Sequence, residues 1–88
     1  AASRSTVGEL GVEWLARQTH LKPSSLRPLE IAWRLHVEPH WGRRALGRVQ
    51  HTDVEAWIAS LTMSGLSATS VIRAHGVLAG ILDDAVSD

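Results

Sequence analysis

The chain has 88 residues, no cysteine and a formal net charge of zero, enough for one hydrophobic core but not for two, and neither a disulfide nor a thiolate metal site can hold its fold. A hydrophobic content of 44% suits a packed globule and excludes the disordered class. No apolar run approaches the ~18 residues that span a bilayer, residues 1–6 lack the apolar segment of a signal peptide, and the absence of cysteine is compatible with a reducing, cytoplasmic location.

Residues 1–5 are expected to be a linker or remnant outside the fold, and the domain is expected to span 6–88. The first helix starts at Thr6, where Thr6, Val7, Gly8 and Glu9 form the pattern of a capping box. Val7, Leu10, Trp14 and Leu15 follow at helical spacing on one stripe, and the helix should fade near residues 18–20. The second helix is predicted to open around Lys22, Pro23, Ser24 and Ser25, with a serine as cap and Pro28 tolerated in the first turn, where its missing N–H had no partner anyway. Leu26, Leu29, Trp33 and Val37 form its apolar stripe, and Arg27 and Arg34 lie on another face. Pro39 is expected to stop it, because the residue before a proline is pushed out of the α region. Residues 40–47, with two glycines, read as a turn that Trp41 and Leu46 pin to the core.

A second capping box, Thr52, Asp53, Val54 and Glu55, predicts the start of the third helix. Its buried side is Val54, Trp57, Ile58 and Leu61, and Gly65 is its C-terminal stop. Ser67 caps the fourth helix, whose stripe is Val71, Leu78, Leu82 and Ala85 with Val77 and Ile81 beside it. Gly76 and Gly80, each costing about 1 kcal/mol relative to alanine in an exposed helix, are expected to permit close approach of another helix. Asp83, Asp84 and Asp88 near the end are mildly unfavourable with the helix dipole, which suggests a helix or chain that continues in a parent protein. No segment alternates with period two, so no strand is predicted.

Charge is unevenly placed. Residues 17–48 hold seven basic side chains (Arg17, Lys22, Arg27, Arg34, Arg43, Arg44 and Arg48) against two acids, Glu30 and Glu38, a local excess of five. Such segregation gives either one positive face on a neutral protein or an Arg-rich solvated surface. Arg43, Arg44 and Arg48 read best as solvated loop charges, and the four tryptophans as packing groups rather than base-stacking ones. His36 and His40 are four apart, but Pro39 should break their shared face. With no His-Glu-x-x-His pattern no metal site is expected. His75 is expected to be partly buried and hydrogen-bonded, and Asp53 and Glu55 to be helix-start acids rather than a catalytic pair.

At the exit of the second helix the residues become specific. His36, Val37, Pro39 and Gly42, then Leu46, Val49, Asp53 and Val54, resemble the central signature of the N-terminal core-binding (SAM-like) domain of the phage integrase, or tyrosine recombinase, family. Gln50 stands where that family usually has threonine, and the chain has no Tyr or Phe where members often carry a Tyr near Leu29. The opening Thr6, Val7, Gly8, Glu9 and Leu10, the two Ser/Thr-rich starts at 21–26 and 65–71, and the closing Leu78, Ile81, Leu82 and Ala85 are similar to the family's flanking helices. The resemblance covers essentially the whole chain.

It implies an all-α, compact four-helix orthogonal bundle that grips double-stranded DNA as one half of a clamp. The other half would be a catalytic domain after residue 88, carrying the Tyr nucleophile. With no Tyr in the chain, no strand cleavage, catalytic residue, metal or cofactor is expected of this domain. The parent would be tetrameric on DNA and the isolated domain a monomer. Helix N-termini suit phosphate, so the expected DNA-binding residues are Lys22, Ser24, Ser25, Arg27, Arg34, Ser67, Thr69, Ser70 and Arg73, with Arg34 and Arg73 long enough to reach base edges. The alternative is a small helical protein-interaction module, and a stand-alone enzyme comes third.

Overall fold

The start of α1 (Val7–Ala16) follows from its capping residues. In the computed structural model, which describes residues 5–87, the Thr6 hydroxyl accepts the Glu9 N–H at 3.2 Å and the Glu9 carboxylate accepts the Thr6 N–H at 3.3 Å, the reciprocal pair of a capping box. Two further free donors of the first turn are met across the chain: Val7 N–H donates to the Arg44 carbonyl at 2.9 Å and Gly8 N–H to that of Gly42 at 3.0 Å. Leu46 N–H in turn donates to the Ser5 carbonyl at 2.9 Å. Ser5 therefore belongs to the fold rather than to a linker, while residues 1–4 of the expected linker lie outside the described residues.

The second rod runs further than its proline suggests. It comprises α2 (Pro23–Ala32), one wide π turn (Trp33–Val37) and α3 (Glu38–Trp41) without interruption. The expected stop at Pro39 is overturned. In the π turn Glu38 N–H donates to the Trp33 carbonyl, five residues back, so the ladder has already changed spacing when it meets a residue that has no N–H and crowds the carbonyl four residues back. His40 and Trp41 are helical, and the turn begins only at Gly42, whose N–H closes on the Glu38 carbonyl at 2.8 Å. The predicted serine cap is also absent. Lys22 is the N-cap with no side-chain bond, Pro23 opens the helix, and Pro28 lies inside it rather than in its first turn.

A short 3-10 turn (Leu46–Arg48) leads to α4 (His51–Met63). This helix starts at His51 with Gln50 as N-cap and no side-chain cap, so the predicted Thr52 box does not form. Asp53 is instead paired with Arg44 at 3.0 Å, and Glu55 lies 3.5 Å from His51 one turn back. The stop is as expected: Gly65 takes φ +92°, the left-handed region where a side chain is strained. Its N–H donates to the Thr62 carbonyl at 3.2 Å and Leu66 N–H to that of Leu61 at 3.4 Å, the double bond of a Schellman ending. The last helix, α5 (Ala68–Ser87), is capped by Ser67, whose hydroxyl accepts the Ser70 N–H at 3.2 Å.

The result is an all-α bundle, with no strand among the described residues beyond the single bridge of Thr6 with Ala45. α5 is its axis: α1, α2, the π turn and α4 all pack on it. The core holds Val7, Trp33, Val37, Trp41, Trp57, Ala74, Val77, Leu78 and Ile81. Trp33, Val37 and Trp41 fall four residues apart along this rod and all three are buried. Three tryptophans are buried as expected and Trp14 is half-buried. Trp14 lies where a Cβ on Gly80 would be, at 2.6 Å, so Gly80 does mark a close approach, of a ring rather than a backbone. Gly76 does not: nothing lies within 4 Å of its Cβ position. His75 is exposed, against the expectation of partial burial. No described helix is long and apolar enough to cross a membrane.

Candidate nucleic-acid interface

Helix α2 and the first turns of α5 pack side by side, and between them lies an open groove of about 520 Å³. Ser24, Arg27 and Ile31 line it from α2, and Ser70 and Arg73 line it from α5, with His36 at one end. Four of the nine sequence-predicted residues, Ser24, Arg27, Ser70 and Arg73, thus meet on one surface although more than forty positions separate the two pairs. Helical spacing explains the α2 side: Arg27, Ile31 and Arg34 follow at i, i+4 and i+7, on one face. Arg34 extends that face into an adjoining hollow shared with Arg27, Glu30 and Ile31.

The other predicted residues are placed differently. Thr69 lies on the far flank of α5, in a second hollow with Trp14, Leu29, Ile72, Arg73 and Gly76. Lys22, Ser25 and Ser67 are exposed at the two helix starts and line neither hollow. Ser24 and Ser25 are first-turn residues with exposed side chains, not caps. The hydroxyls of Ser67 and Ser70 lie 3.1 Å apart, so the cap also orders the second hydroxyl.

The basic side chains divide by partner. Arg17 pairs with Asp84, tying the end of α1 to the last turns of α5. Arg44 pairs with Asp53 and places its guanidinium 5.0 Å from the centre of the buried Trp41 ring. Arg44 is therefore a structural cation and not the solvated loop charge expected, whereas Arg43 and Arg48 are exposed. Lys22, Arg27, Arg34 and Arg73 make no ion pair with another described residue. His40 belongs to the Arg44 cluster, edge-on to Trp41 and stacked on Trp57. Burial first, and then the Arg44 charge, hold its pKa below the ordinary 6.5, against a smaller upward pull from Asp53.

Sequence reasoning left out Ile31 and Ile72, and weighed His36 only as a metal ligand and as part of the family signature. Ile31 and Ile72 are 40% and 70% exposed, which makes apolar groups part of the surface that carries the cations. For Ile31 the signal was present, since it falls between Arg27 and Arg34 on their face. For Ile72 the helix period places it opposite the buried Val71 and Ala74, which was equally legible. No group of three metal-ligating side chains occurs among the described residues. The groove can hold an anion flanked by apolar surface. Two guanidiniums, of Arg27 and Arg73, and two hydroxyls, of Ser24 and Ser70, are the groups that would meet it.

Comparison of the chain with protein-family models, curated proteins and solved structures found no match.

Proposed function

We propose that this chain is a DNA-binding domain of the tyrosine recombinase core-binding type, a SAM-like bundle that holds duplex DNA in the cytoplasm as one half of a clamp. The parent would be a site-specific recombinase that is tetrameric on DNA. One observation carries the reading: the starts of α2 and α5, far apart in sequence, line one groove with Ser24, Ser70, Arg27 and Arg73, the two arginines without an ion pair among the described residues. Lys22 and Arg27 neutralise phosphates and set register, which is sequence-independent, and Arg34 and Arg73 have the length to reach base edges. Catalysis is not assigned to this domain, since a chain without Tyr holds no tyrosine nucleophile.

The test is fluorescence anisotropy of a labelled duplex with the 88-residue chain at several salt concentrations. Two cations at phosphates, Lys22 and Arg27, give a slope of log K against log salt near −1.8, or roughly a 12-fold loss from 50 to 200 mM. Lys22→Ala and Arg73→Ala should each weaken binding, and Lys22→Ala should also shallow the slope by about 0.9. Unchanged affinity in both variants removes the assignment. Salt-insensitive capture of a protein, with no duplex bound, favours the helical interaction module instead.

A further inference from the structure

The proposed grip uses the polar half of the groove between α2 and α5 and leaves the other half idle. Beside the two arginines and two serines, four apolar residues line it: Pro23, Pro28, Ile31 and Ala32. Ala32 is buried, Pro28 half-buried and Ile31 40% exposed. A phosphodiester backbone carries its charge on the outside and offers such a surface little to cover it. The groove volume, about 520 Å³, falls within the roughly 300–1,000 Å³ of small-ligand sites, which pair an apolar lining with a few placed polar groups.

The polar half is built to donate. Arg27 on one wall and Arg73 on the other make no ion pair with another described residue. The Ser67 hydroxyl accepts the Ser70 N–H at 3.2 Å and donates to the Ser70 hydroxyl oxygen at 3.1 Å. The Ser70 hydrogen is thereby left to donate elsewhere, and Ser70 lines the groove. No carboxylate lines it: Glu30, the one acid of α2, borders the adjoining hollow instead. The complement of such a site is an acceptor-only head on an apolar body. A phosphate monoester matches the charge as well, since it carries about −1.5 to −2 at pH 7 on three acceptor oxygens against two guanidiniums. A carboxylate or a backbone phosphodiester brings a single charge and leaves one guanidinium uncompensated.

We propose that this groove is a binding site for a small phosphate monoester of an apolar alcohol, with the phosphate between Arg27 and Arg73, the Ser70 hydroxyl donating to it, and the apolar body on Pro28, Ile31 and Ala32. The site itself needs no DNA. Its consequence rests on the DNA-binding reading above: the ester occupies the arginines of the grip, so a bound ester excludes duplex and places the grip under the control of a small anion.

Amide chemical shifts of the labelled 88-residue chain are followed during titration with hexyl phosphate, inorganic phosphate and 1-hexanol at constant ionic strength. Hexyl phosphate should bind about fifteen-fold more tightly than inorganic phosphate, the worth of roughly two buried methylenes, and should move the amides of residues 24–31 and 70–73. Arg73→Gln should weaken it about ten-fold or more, as the loss of a hydrogen bond to a charged group does. Ile31→Asn should erase most of the advantage of the hexyl chain and leave inorganic phosphate unchanged. Both positions are exposed, and thermal melts should match wild type, so neither loss is unfolding. Hexyl phosphate that binds no better than inorganic phosphate, or no better than 1-hexanol, overturns the site. Binding to phosphatidylcholine vesicles that carry phosphatidic acid, with none to hexyl phosphate, assigns the face to a lipid surface and likewise overturns it. In the anisotropy assay hexyl phosphate should displace duplex, and an ester that binds without displacing it overturns the shared use of the arginines. Duplex binding without ester binding overturns the site and leaves the grip standing; ester binding with no duplex bound at low salt does the reverse.

Discussion

Replacing Gly11 by alanine should destabilise the domain although alanine is the better helix former. Helix propensity favours the substitution by about 1 kcal/mol. Against it stands the Trp33 ring: the new Cβ would lie 2.2 Å from Cη2, 2.4 Å from Cζ3 and 2.8 Å from Cζ2, where carbon atoms prefer ~3.5–4.0 Å. The ring must retreat by more than about 1 Å to restore contact. Trp33 is only 8% exposed and is packed in the core, so retreat displaces its neighbours. Extra methyl groups in packed cores cost about 1–3 kcal/mol, and three ring atoms inside 3 Å place Gly11 at the upper end, for a net loss of about 2 kcal/mol. For a domain of this size that lowers the melting temperature by roughly 8–16 °C. Gly76→Ala is the matched control: the same exchange in open space should gain up to about 1 kcal/mol. Urea titration and thermal melts followed by circular dichroism measure both. A Gly11→Ala variant as stable as wild type would refute the reasoning, because it would mean that the core yields to a methyl without cost.

Thr6→Ala removes the hydroxyl that caps Glu9 and the box that holds the Thr6 N–H, and should cost about 1 kcal/mol in the same urea assay; Thr6→Ser should restore most of it. The His40 cluster predicts a pH dependence. Its pKa is lowered in the fold by burial and by Arg44, against the pull of Asp53, so in the window below 6.5 the unfolded chain binds more protons than the native one. Stability from neutral His40 is then complete above pH 6.5 and falls as pH drops towards the native pKa. An NMR titration of the His40 ring gives the midpoint directly. Arg44→Met should raise that midpoint while burial keeps it below 6.5, and a midpoint that stays put in the variant would rule out the Arg44 contribution.

Much of the fold was legible because its signals are local. The Thr6 box, the Ser67 cap and the Gly65 stop each involve residues within one turn, and each forms as the spacing predicts. The failures are places where a local rule met a competing interaction. The rule for Pro39 assumes an α ladder, and the π turn before it has altered that ladder. The Thr52 box would need a helix that starts two residues later, at Asp53. It starts at His51 instead, and Asp53 is committed to Arg44 nine positions back. At the candidate site, the individual residues were readable from composition and helix period. The pairing of Arg27 with Arg73 across one groove was not, because it depends on α2 packing against α5, which no local pattern encodes.

The same packing changes what the charge distribution means. The local excess of five in residues 17–48 pointed to one basic segment, but two of its seven cations, Arg17 and Arg44, are spent on Asp84 and Asp53. Arg73, from outside the segment, joins Lys22, Arg27 and Arg34 near the groove, with Glu30 the acid among them. The fold therefore pairs two of the nine acids with arginines, at the end of α1 and in the turn before the 3-10 segment, and leaves Lys22, Arg27, Arg34 and Arg73, around α2 and the first turns of α5, without an ion pair among the described residues. Fields from exposed charges fade within about 8 Å at physiological salt, so a face of this size attracts a polyanion only in close contact. Cations alone give salt-sensitive and unselective binding, so in the proposed grip any preference for one sequence has to come from contacts to base edges.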